Sequence, residues 1–169
     1  MFTPPSETST TMYFVYALSF FLLIYAVYRG LFTRLRTPED YLIRAKNYVS
    51  YFRSHKKAIR TLENGLQLPE LTEAQKQEFY FRLGIEHYRL RDYATAVTHF
   101  DHVIPRLKKR KLEYDSGYLS MIMSYYNDGQ EATARKIYHQ LLSKQHTDVR
   151  FSFVTSLDKR IFKDTERKK

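Results

Sequence analysis

Ala58, Ala96 and Ala134 stand at a constant step of 38 residues, and the same step superimposes Leu42 on Tyr80 and Tyr118, Ile43 on Phe81 and Leu119, Ala45 on Leu83 and Met121, Leu62 on Phe100 and Tyr138, and Leu66 on Ile104 and Leu142. A weaker set is Val49, His87 and Tyr125. A fixed step of this length predicts one supersecondary unit repeated along the chain, because a single unit cannot bury its apolar face alone. The middle copy, FYFRLGIEHYRLRDYATAVTHFDHVI from Phe79 to Ile104, says what that unit is. Its apolar positions Phe79, Leu83, Ile85 and Tyr88, then Tyr93, Val97, Phe100 and Ile104, recur mostly at three- and four-residue intervals, the period of a helix buried on one side. Two helices are expected, with Asp92 capping the second.

The units cover about 38–66, 77–104 and 115–142. Tyr80, Leu83-Gly84, Ala96 and Phe100 of the middle unit follow an aromatic, Leu-Gly, Ala, aromatic order that resembles the tetratricopeptide repeat. His87, with Tyr88 beside it, stands where that pattern has its first-helix Tyr; Lys46 and Ile122 replace the Gly in the outer units. The third unit keeps Ala134 and a helix stop at Asn127 and Gly129. The step is four longer than the family's usual 34, which the stretches PELTEA and KKRKLEYD would absorb. The resemblance implies an all-α chain carrying a short solenoid of about three helix pairs, closed by a capping helix over 143–162 and followed by a basic tail at 163–169.

The chain ahead of the repeats differs in kind. After a short polar segment, 1–11, the run from Met12 to Tyr28, MYFVYALSFFLLIYAVY, has no charged residue. As a helix it spans about 25 Å, just long enough for a bilayer core. A secretory signal would carry a basic leader and a small-residue cleavage site; the preceding residues carry Glu7 and no cation, and no such site follows Tyr28. The segment 12–32 is therefore expected to be a retained single-pass anchor, with Tyr13, Tyr16, Tyr25 and Tyr28 near its ends. All basic residues lie from Arg29 onward, Arg34, Arg36 and Arg44 among the first, which predicts an outside N-terminus and a cytoplasmic repeat domain. A bacterial plasma membrane is the first choice of setting, and the mitochondrial outer membrane, where import-receptor-like proteins share this organisation, the second.

In the family it resembles, the first helix of each repeat lines a concave groove that holds a peptide or helix of another protein. Transferring that face by register gives Ile43 and Asn47, then Phe81, Ile85, Tyr88 and Arg89, then Leu119, Met123, Tyr126 and Asn127. The face is expected to be apolar and aromatic and to take a helix or hydrophobic peptide. Asn47 alone fits the carboxylate-holding set of the chaperone-binding members; Ile43, Arg82, Ser116 and Ser120 stand at the other positions, so that ligand is not expected. The C-terminal helix, through FSFV and LDKRIF, is the alternative occupant.

The net charge of +10 predicts attraction to anionic partners. Arg34 and Arg36 behind the anchor, and Arg106, Lys108, Lys109, Arg110 and Lys111 in RLKKRK, are the candidates for headgroup or phosphate contact. No aromatic-interleaved recognition module accompanies them, so sequence-specific nucleic-acid binding is not expected. With no Cys there is no disulfide or thiolate zinc site. His87, His99 and His102 read as histidines on a solvated face, Glu39 and Asp40 as charges opening a helix after Pro38, and no phosphate loop or nucleophile motif occurs. Neither catalysis, metal nor cofactor is expected. The function that follows is a membrane-tethered adaptor or scaffold for a protein partner; a structural subunit of a membrane complex, or a basic tether to membrane surface, ribosome or RNA, are the alternatives.

Overall fold

The computed structural model describes residues 7–32, 34–109 and 111–158, the side chains of 7–10 and 30–32 excepted. Residues 1–6, Arg110, the end of the expected capping helix and the basic tail lie outside the described residues. Every regular element among the described residues is helical. The first, α1 (Glu7–Phe32), starts within the polar N-terminal segment and carries the apolar run. Its Thr11–Arg29 portion is long and apolar enough to cross a membrane, and none of it is buried. Tyr13 and Phe21 are 72% and 68% exposed, so no protein surface covers this helix as it would a core helix.

Three helix pairs follow. The first is α2 (Pro38–Phe52) with α3 (His55–Leu66), and the second is α4 (Glu73–Arg89) with α5 (Tyr93–Asp101). After the single turn α6 (Ile104–Leu107) comes the third, α7 (Gly117–Asn127) with α8 (Glu131–Leu142). Besides packing on its own partner, α3 packs on α4, and both α4 and α5 pack on α7. Local chemistry fixes the starts. Thr37 and Asp40 form a reciprocal capping box ahead of α2 with Pro38 at its first position, and Thr72 and Gln75 do the same for α4. Hence α4 begins at Glu73, four residues before the start read from the repeat. Asp92 caps α5, its carboxylate accepting from the Thr95 N–H at 3.3 Å.

The step of 38 is also present in the backbone. Arg53, Arg91 and Gly129, which end the first helix of each pair, are the residues with positive φ among the described residues, at 49°, 63° and 83°. Ser54, Asp92 and Gln130 follow as N-caps, and their carbonyls accept from the N–H groups of Ala58, Ala96 and Ala134 at 3.1, 3.0 and 3.0 Å. Glycine takes the left-handed conformation without steric cost; two of the three turns adopt it with arginine, at a penalty of about 1–2 kcal/mol each.

One face of α4 serves each side of the stack. Phe79 and Leu83 pack with Ala45, Ala58, Ile59 and Leu62 of the first pair, while Phe81 and Ile85 pack with Ala96, Phe100, Tyr118, Met121 and the third pair. Gly84 lies where a Cβ would come within 2.7 Å of the Phe100 ring, and Ala96 is fully buried, so the close approach expected of these small residues is present.

The expected capping helix is instead two 3₁₀ segments, Ser143–His146 and Val149–Leu157, packed on α8. The reason lies in the spacing of the buried residues. Phe151, Val154 and Leu157 recur every three residues, which keeps them on one line at three residues per turn but would wind them off the face of an α-helix. Through these side chains the segment joins the core shared by the second and third pairs.

Candidate functional site

Between the first helices of the three pairs runs an open groove of about 840 Å³. Its walls are Leu42, Ile43, Ala45, Lys46, Val49 and Ser50 of α2, Ala58 and Leu62 of α3, Glu78, Arg82, Ile85, Glu86 and Arg89 of α4, and Gly117 and Ser120 of α7, with Tyr114, Asp115, Ser116 and Arg150 at the α7 end. Of the residues expected to line it, Ile43, Ile85 and Arg89 do. The others require correction. Phe81 is fully buried beneath the groove, and Met123 is 7% exposed within the core. Leu119, Tyr126 and Tyr88 are partly buried against that core, Tyr88 lying 5.9 Å from the Tyr93 ring. Asn47 is half-buried and Asn127 exposed, both away from the groove lining.

Apolar side chains in such a stack are consumed by packing between helices, so a face chosen for its apolar character is the core-facing edge. The open face differs from helix to helix: on α2 Ile43 and Lys46 line it and Asn47 does not, while on α4 and α7 Arg82 and Ser120 line it beside the buried Phe81 and the partly buried Leu119. The positions compared above with the carboxylate-holding set, Ile43, Arg82, Ser116 and Ser120, all line it.

The groove is mixed in character: Leu42, Ile43, Val49, Leu62 and Ile85 give it apolar surface, while Lys46, Glu78, Arg82, Glu86 and Arg89 add charge. Arg82 donates from Nε to Glu78 at 2.8 Å and from Nη2 to Asp115 at 2.9 Å, tying α4 to the entry of α7. Glu86 is 7% exposed with both oxygens engaged, one with His55 Nδ1 at 2.6 Å and the other with Arg89 at 2.8 Å. A buried carboxylate so held is satisfied and links the first pair to the second. Arg150 pairs with Asp148 at 2.7 Å, holding that carboxyl well below its usual range, at about 2. Lys46, exposed, has no ion pair among the described residues and is the cation of the groove open to a ligand carboxylate.

The basic turn divides. Arg106 turns back onto α4, donating to Glu78 at 2.6 Å with its guanidinium 5.7 Å from the Phe81 ring centroid, so it belongs to the fold and not to an anion-facing surface. Lys108, Lys109 and Lys111 are exposed, pinned between buried Leu107 and Leu112, and Arg110 lies outside the described residues. Arg34 and Arg36 are exposed at the foot of α1.

The histidines are not independent surface groups. His87 and His99 have ring centroids 5.2 Å apart, and Tyr80 stacks on His102 at 4.1 Å and on His99 at 6.0 Å. His87 also meets Asp92 at 3.0 Å. No group of three or more His, Cys, Asp or Glu that could hold a metal occurs among the described residues. Burial, then His87 and His102, pushes the pKa of His99 from 6.5 down to about 4, against the pull of Asp92. The folded value being the lower, the unfolded chain binds more protons in between, so His99 leaves stability intact above about pH 6.5 and removes it as the pH falls toward 4. In thermal melts His99→Gln should show a smaller fall in Tm between pH 7 and pH 5 than the parent protein; parallel falls would exonerate His99.

The chain matches no family model, no curated protein and no solved structure.

Proposed function

We propose that this chain is a single-pass membrane adaptor with a tetratricopeptide-like domain on the cytoplasmic side, which recruits a partner protein by holding an extended or helical segment in its groove. A bacterial plasma membrane is the setting, with the N-terminus outside. The observation that carries the reading is that the first helices of all three pairs converge on one open groove of about 840 Å³ in a chain that also has an exposed apolar helix. The recurrence of the left-handed turn at Arg53, Arg91 and Gly129, with the close contact at Gly84, supports the repeat assignment.

The groove suits a segment that sets apolar side chains against Leu42, Val49, Leu62 and Ile85 and offers at least one carboxylate. The groove's own carboxylates are committed to Arg82, Arg89, Arg106 and His55, while Lys46 beside Ile43 offers a free cation next to an apolar step. Tethering would raise the local concentration of groove and partner alike, so a modest affinity suffices.

A photo-crosslinking residue at Ser50 or Ser120, both on the groove, should capture the same partner from intact membranes, and one at exposed Ala94 on α5 should not. Adding Lys46→Glu should reduce the adduct at least tenfold with unchanged helical content. Equal capture from Ala94, or an adduct indifferent to Lys46→Glu, would refute the groove as the recruiting surface.

A further inference from the structure

The three helix pairs present three equivalent tips, at Arg53, Arg91 and Gly129, and among the described residues only the first sets exposed aromatic rings beside a run of cations. Over residues 44–62 the chain has six Lys and Arg and no Asp or Glu; the equivalent window 82–100 has three against two, and 120–138 two against two. Charge therefore falls from strongly positive to balanced along the stack, with the positive end next to the apolar helix. At that first tip Tyr51 and Phe52 are 69% and 52% exposed, adjacent on a turn held by the left-handed Arg53. Arg53, Lys56, Lys57 and Arg60 are exposed around them and make no ion pair among the described residues; Lys57 lies 5.9 Å from the Tyr48 ring centroid. Beyond these contacts with Tyr48, whose ring lies 6.4 Å from that of Phe52, these side chains face solvent.

We infer that the α2–α3 tip is a second membrane contact, in which Tyr51 and Phe52 enter the interfacial layer of an anionic bilayer while Arg53, Lys56, Lys57 and Arg60 meet its phosphates. The inference rests on α1 being the anchor. Aromatic rings favour the headgroup level, and clustered unpaired cations favour an anionic leaflet, so the two halves of the tip match the two layers of one surface. Reach is adequate: α1 ends at Phe32 and α2 begins at Pro38, so the tip lies one α2 length, about 22 Å, beyond a short linker. The other tips offer no such match. Leu90 stands between Arg89, which is bound to Glu86, and Arg91, while the third tip carries Asp128 and Glu131. Anchor and tip together would fix the tilt of the stack on the bilayer and hence the direction in which the groove opens.

The chain has no Trp, so Tyr51→Trp creates a single emitter at the tip and Tyr25→Trp one within α1. Each full-length variant is reconstituted in phosphatidylcholine vesicles with and without phosphatidylglycerol, and with brominated acyl chains as quenchers. The Tyr51→Trp emission should be blue-shifted and quenched at least twofold with phosphatidylglycerol, far less without it, and the quenching should be lost when Arg53→Glu, Lys56→Glu and Lys57→Glu are added. Tyr25→Trp should be quenched in both lipids. Solvent-like, unquenched Tyr51→Trp emission beside a quenched Tyr25→Trp would overturn the tip contact and leave the anchor standing. A blue shift without bromolipid quenching would mean that a second copy covers the tip, which overturns it as well. If Tyr25→Trp is not quenched either, the anchor reading falls and the tip contact with it.

Discussion

Phe81→Ala should destabilise the helical domain by about 3–5 kcal/mol, a large part of the 5–15 kcal/mol that holds a domain of this size folded. The side chain is fully buried and central. Its ring meets Phe100 edge-on at 6.0 Å and Tyr118 at 5.0 Å, and the guanidiniums of Arg82 and Arg106 lie 5.4 and 5.7 Å from its centroid. Truncation opens a cavity where α4, α5 and α7 meet and removes the surface on which two arginines of the Glu78 network rest. Ile43→Ala, at a position 58% exposed on the groove, should change stability by no more than about 0.5 kcal/mol. Urea titrations followed by circular dichroism decide the matter. A Phe81→Ala protein as stable as its parent would mean that the second and third pairs do not pack around this ring.

That contrast shows what could be read from sequence and what could not. The 38-residue step was legible because it is imposed by backbone geometry. A turn with positive φ and an N-cap must recur wherever a helix pair closes, and Asp92 and Gly129 are residue types that such positions select. The groove was not legible to the same degree. Hydrophobicity marks the core, and the residues that line the groove keep no single register from helix to helix. Lys46, Arg82 and Ser120 look like ordinary solvated positions until neighbouring helices converge on them. Arg106 was misread for a related reason. Within RLKKRK it is one cation among five, and only the single turn of α6 aims it back at Glu78. The histidines depend on the pairing of α4 with α5, which inserts Tyr80 beside His99 and His102. In the C-terminal cap the signal was present, in the three-residue spacing of Phe151, Val154 and Leu157, although an apolar stretch there resembles a helix on composition alone.

Charge follows the same logic of position. The acidic residues of the domain are largely spent inside it: Glu78 and Asp115 hold Arg82, and Glu86 holds His55 and Arg89. The surplus of cations is left at places that packing does not use, namely the first tip and the turn after α6. A net charge of +10 is thus not spread evenly over the surface.

Gly84→Val should cost more than about 3 kcal/mol, and Gly84→Ala much less, because two opposed effects scale differently with side-chain size. Alanine gains about 1 kcal/mol over glycine inside a helix, and Gly84 lies well within α4. Against that gain stand three ring atoms of Phe100 at 2.7, 2.8 and 2.8 Å from the position of an added Cβ. The ring has no room to retreat, since Phe100 is fully buried with Phe81 on its edge. Overpacking of this kind costs about 1–3 kcal/mol, so alanine should come out up to about 2 kcal/mol destabilised, while the two further methyls of valine add to the clash and to rotamer restriction. A double-mutant cycle isolates the cause. Phe100→Leu alone should be destabilising, yet combined with Gly84→Ala it should lose less than the sum of the two, a favourable coupling of about 1 kcal/mol or more. Strict additivity would show that the glycine is not there to admit the Phe100 ring, and the closeness of α4 to α5 would need another source.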